Sequence, residues 1–98
     1  MGNSLKSAQF LMDSRLAEAA DGDGEACYDL GVSYQTGTSG VCIDLVEAHK
    51  WFNIAASRGV LPAPSARAEV AEDMTAREIS AAQAAARAWL GMTRLRAA

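Results

Sequence analysis

The chain has 98 residues and a mass of 10.3 kDa, which allows one small domain and excludes a multi-domain enzyme or a large cofactor cleft. Half of its residues are apolar and 21% are charged, a composition that folds rather than staying disordered. The net charge of −3 and a pI near 5.0 lack the basic excess that holds a nucleic-acid backbone. Arg87, Arg94 and Arg96, spaced along an alanine-rich stretch, read as a solvated face.

Twenty-one alanines and only two prolines point to helix, since alanine is the best helix former and proline the worst. The first predicted helix covers residues 4–20. Ser4 stands at its cap position, and Leu5, Ala8, Met12, Leu16 and Ala19 recur at spacings of three and four, one helical face. Asp21-Gly22-Asp23-Gly24 breaks it, and Asp23 is placed to cap the second helix.

The second predicted helix runs from Gly24 to Gln35, with Ala26, Leu30 and Tyr34 on one face. Gly31 sits beside Leu30. A glycine inside a helix costs about 1 kcal/mol relative to alanine, so another backbone is expected to pack close there. Thr36-Gly37-Thr38-Ser39-Gly40 is a loop.

Asp44-Leu45-Val46-Glu47 opens the third helix as a capping box, in which Asp44 accepts from the Glu47 amide and the Glu47 side chain reaches back. Ala48, Trp51, Phe52, Ala55 and Ala56 form a broad apolar stripe, and Gly59 closes the helix. Pro62 and Pro64 mark a new start. A short helix is predicted over 63–73, with Ala66, Val70 and Met74 at intervals of four. Thr75-Ala76-Arg77-Glu78 is a second capping box. The helix behind it carries Ile79, Ala82, Ala86, Trp89 and Leu90 on one face and is expected to end near Gly91. Four to five helices, short loops and no strand pattern define an all-α domain.

The chain also repeats itself. Gly22 to Gly59 is a helix pair with a period of about 37 residues, and Gly59 to Leu90 looks like a worn, shortened copy, with Thr75-x-x-Glu78 standing where Asp44-x-x-Glu47 stands. The domain therefore divides into an N-terminal capping helix (4–20), one full repeat (22–59) and a degenerate helix pair (60–93). One repeat cannot bury its own apolar faces, so the flanks must cap it.

Ala26, Leu30-Gly31, Tyr34, Gly37, Gly40-Val41, Asp44, Ala48, Trp51, Ala55-Ala56 and Gly59 resemble the Sel-one-like repeat, a branch of the tetratricopeptide-like helical repeats. The match covers about 38 residues, in the order Ala-x-x-x-Leu-Gly-x-x-Tyr-x-x-Gly, Gly-Val, Asp, Ala-x-x-Trp and Ala-Ala-x-x-Gly. Gly24 departs from a usual alanine, and Gly37-Thr38-Ser39-Gly40 is slightly longer than the common loop. The whole chain resembles small bacterial proteins with one such repeat. The resemblance implies antiparallel helix pairs stacked into a short right-handed α-solenoid, and an adaptor that holds other proteins together. A disulfide-bearing, secreted branch of the family is associated with penicillin binding. It does not carry over, because the position of its second cysteine holds Ala56.

The residues themselves offer little chemistry. His49 lies one position off the apolar stripe and reads as a surface or boundary residue, with no nucleophile set beside it by any motif. Cys27 and Cys42 read as reduced, unpaired thiols, and with one histidine they complete no usual zinc set. The acids of residues 13–29 lack the glycine and glutamate spacing of a calcium loop. Tyr34, Trp51, Phe52 and Trp89 are assigned to the core. No cofactor, metal or catalytic residue is expected.

The polar row Glu25, Asp29, Ser33 and Thr36, at spacings of three and four, is the candidate surface for a protein or peptide partner. Its acids favour a basic segment. A self-assembling structural unit is the alternative, since repeat ends leave apolar faces; a Cys/His-based hydrolase or redox protein is a third reading. No secretory signal or membrane-spanning run is visible. Lys6 stands where an N-myristoylation signal wants Ser or Thr. The expectation is a cytoplasmic monomer.

Overall fold

The computed structural model describes residues 3–97, with side chains described over 6–93. Five helices occur in order, α1 (Asn3–Ala20), α2 (Gly24–Thr36), α3 (Leu45–Ser57), α4 (Ala63–Ala71) and α5 (Ala76–Ala97), with no strand among the described residues. The chain is all-α. Helix α1 begins before Ser4, so Ser4 is not its cap residue; the side chains of Ser4 and Leu5 lie outside the described ones.

The helix ends are set by local chemistry. At the end of α1, Gly22 takes φ 101°, and the Asp23 amide donates to Glu18 O at 3.0 Å, which satisfies a carbonyl left over by the helix. Asp23 then caps α2, its Oδ1 accepting from the amides of Glu25 (2.9 Å) and Ala26 (3.4 Å). The second capping box is complete: Glu78 N donates to Thr75 Oγ1 at 3.1 Å, and Thr75 N to Glu78 Oε1 at 2.8 Å. The first is only half made. Asp44 Oδ1 accepts from Glu47 N at 3.1 Å, but the Glu47 carboxylate turns away to take Trp51 Nε1 (3.2 Å) and Lys50 Nζ (2.8 Å). The Asp44 amide that the carboxylate would have taken already donates to Tyr34 O at 2.9 Å, so the box has no second donor left to satisfy.

Helix α5 runs through Gly91 to Ala97 rather than ending at the glycine. Gly91 is exposed, does not adopt positive φ, and has nothing within 4 Å of where a Cβ would stand. One glycine costs about 1 kcal/mol, too little to stop a helix whose other residues favour it.

Helices α2 and α3 form an antiparallel pair. Gly24 lies against Arg58 and Val60, Gly31 against Phe52, and Asp44 N donates to Tyr34 O at 2.9 Å, so contacts run in opposite directions along the two helices. Gly31 makes room for the Phe52 ring, not for another backbone as its position in the sequence suggests. Helix α3 is the hub, packed against α2, α4 and α5, while α1 packs on α2.

Its two sides carry two apolar clusters. One joins Met12, Ala19, Leu30, Trp51, Ile54 and Ala86, with Trp89 edge-on to Trp51 at a centroid distance of 4.9 Å. The other joins Ala48, Phe52 and Val70, with Tyr28 tilted against Phe52 at 5.3 Å. The repeat-matching residues Ala26, Leu30, Gly31, Ala48, Trp51 and Ala55 are all buried.

Candidate interaction surface

The row predicted on α2 divides in the structure. Glu25, Asp29 and Thr36 are exposed, but Ser33 is only 2% exposed. The reason is helical drift: at about 100° per residue, Thr36 stands about 20° from Glu25 while Ser33 stands about 80° away. That turn carries Ser33 under α1, where its hydroxyl accepts from Arg15 Nη1 at 3.2 Å. Ser33 therefore leaves the candidate surface. Thr36 is tied locally, its hydroxyl donating to Val32 O at 2.8 Å. The exposed face that remains is acidic, set by Glu25 and Asp29, with no cation paired to either among the described residues.

A groove of about 400 Å³ opens beside this face, where the start of α2 meets the turn from α3 to α4. Asp23, Glu25, Arg58, Val60, Leu61 and Pro62 line it, and Leu61 is 91% exposed. Gly24 allows the close approach. A Cβ there would fall 2.8 Å from Val60 Cγ2 and 3.1 Å from Arg58 Cβ, so an alanine in its place would force the turn away.

Arg58 was not marked by any motif, yet it joins three elements. Its Nη1 donates to Ala19 O (2.7 Å) at the end of α1 and to Cys27 Sγ (3.2 Å) on α2, while its backbone closes α3. A cation at the end of α1 also meets the negative pole of that helix. Cys27 is fully buried, and burial pushes its thiol pKa up, with the Arg58 charge opposing in part. Such a thiol is inert. Cys42 is exposed and unpaired.

His49 is 3% exposed, not the surface residue its place in the sequence suggests. Helix α4 packs against α3 and brings Arg67 Nη1 within 2.6 Å of Asn53 Oδ1, one turn beyond His49. Burial, then the Arg67 charge, lowers the imidazole pKa below the usual 6.5. Its Nδ1 has no partner among the described residues. Tyr34 is shifted too, its phenol pushed up by partial burial and by the charges of Glu47 and Asp44. Trp51, Phe52 and Leu30 lie in the core as expected, and Trp89 is half-buried with its indole Nε1 unpartnered among the described residues.

Among the described residues, no cluster of His, Cys, Asp and Glu is arranged to hold a metal ion, and no helix is long and apolar enough to cross a membrane. No family model, no curated protein and no solved structure matches the chain.

Proposed function

We propose that the chain is a non-catalytic protein-interaction module, a short right-handed α-solenoid of the Sel-one-like kind, that works as a cytoplasmic adaptor. The antiparallel α2–α3 pair, flanked by single helices that pack on it, supports the solenoid reading. The partner is a peptide segment that pairs a basic side chain with an apolar one. One observation carries this: Glu25 and Asp29 are exposed and in no ion pair among the described residues, beside a groove rimmed by a leucine that is 91% exposed. Unpaired acids steer a basic partner, and the apolar rim contributes burial.

Co-purification from the native cell with quantitative mass spectrometry tests the proposal, comparing wild type with Glu25→Lys/Asp29→Lys. A partner that is lost from the folded variant, and that leaves wild type as salt rises, supports it. Partners retained in full by the variant contradict it. A self-assembling unit is the second reading, favoured by Phe10 (74% exposed) and Leu11 on α1 and Met92 on α5.

A further inference from the structure

Arg15, half-buried on α1, has no carboxylate partner among the described residues. From Nη1 its guanidinium donates to two neutral hydroxyls, Ser33 Oγ at 3.2 Å and Ser39 Oγ at 3.1 Å. Asp13, the neighbouring acid on α1, accepts instead from Gln9 at 3.0 Å. The ion pair among the described residues is Lys50–Glu47, on α3. A cation partly removed from water normally finds an anion, and here the described residues supply none.

The hydrogen bonds point the same way. Ser33 Oγ donates to Ser39 Oγ at 3.3 Å, so the Ser39 oxygen accepts twice. Its own proton has no acceptor among the described residues, and neither have the amides of Ser39 and Gly40. The cluster is thus rich in donors and poor in acceptors, which suits an acceptor-only ligand. Ser39 is also the one non-glycine residue with positive φ (59°) among the described residues, a strained backbone of the sort found at ligand clamps.

We propose that Arg15 and Ser39, with the adjoining loop amides and positioned by Ser33, bind a phosphate-class oxyanion between α1 and the α2–α3 loop. A tetrahedral anion offers acceptors in several directions, which suits donors that come from both a helix and a loop. The guanidinium supplies the charge-assisted part of the bond. Ser33 is held by burial, so its hydroxyl fixes the positions of Arg15 and Ser39. The site is separate from the Glu25–Asp29 face and stands whether or not that face meets a partner.

The test is a titration of the full chain with inorganic phosphate at constant ionic strength, with chloride as the control. It is read through the amide resonances of Ser39 and Gly40 and the Arg15 side-chain N–H. The expected result is a saturable shift at these groups with phosphate alone, roughly tenfold weaker in Arg15→Gln. Circular dichroism establishes that the variant stays helical. Should it unfold, Ser39→Gly replaces it, which relaxes the backbone, keeps the guanidinium and removes one donor, and is expected to bind severalfold more weakly. A non-saturating shift in the wild type, or unchanged affinity in the folded variant, overturns the proposal.

Discussion

A Cβ added to Gly31 would sit 2.6 Å from two carbons of the Phe52 ring, closer than side chains approach. The glycine on α2 is what lets the ring on α3 lie fully buried against it. Gly31→Ala gains about 1 kcal/mol of helix propensity but forces the ring or the helices apart, at about 1–3 kcal/mol. The expected net effect in urea unfolding is a loss of about 1 kcal/mol. Gly91→Ala is the contrast: it lies in a helix with open space around it, so the same change is expected to stabilise by up to about 1 kcal/mol. Equal signs at the two sites would contradict the packing described.

Leu30 and Trp51 are buried at 0% and 2% exposure in the cluster that joins α1, α2, α3 and α5. Leu30→Ala and Trp51→Ala are each expected to lose roughly 2–5 kcal/mol, through lost transfer energy and the cavity left behind. Chemical denaturation reads this directly. A loss below about 1 kcal/mol at both positions would contradict the core assignment.

His49 gives the stability a pH dependence. Its folded pKa is lowered from 6.5, first by burial and then by Arg67, so the unfolded chain takes up the proton more readily. The contribution of neutral His49 is therefore full above 6.5 and is lost as pH falls through the depressed folded value. The urea midpoint of the wild type should fall across that window. His49→Gln should show a flatter dependence there, and an identical pH profile would rule the histidine out as its source.

The two thiols should react differently with a maleimide. Cys42 is exposed, whereas Cys27 is fully buried beneath Arg58 with its pKa raised. Mass spectrometry is expected to show one label added quickly and the second only as the protein unfolds. Two labels added at one rate would contradict the burial of Cys27.

Much of the fold was legible because helix ends are written in local chemistry. Asp23, Asp44 and the Thr75–Glu78 box mark starts, and Gly22, Gly37 and Gly59, all at positive φ, mark ends. Most of the buried faces followed from spacing, although Ile54, fully buried on α3, lay outside the predicted stripe. What escaped depends on which neighbour covers a polar residue. Ser33 is buried because α1 lies over its side of α2, and His49 because α4 packs on α3; helical spacing within one segment carries no record of either. Arg58 gave no signal, since its partners, Ala19 and Cys27, lie 39 and 31 residues away. Gly91 misled because a glycine that ends a helix and one that a helix tolerates look alike in sequence.

The charge-reversed pair Glu25→Lys/Asp29→Lys tests most directly whether the acidic face of α2 meets a partner, as proposed. Both side chains are exposed, so the variant should keep its helicity by circular dichroism. Co-purified protein, quantified against wild type, is expected to fall to background for at least one salt-sensitive partner. A folded variant that retains every wild-type partner at full yield would contradict the account.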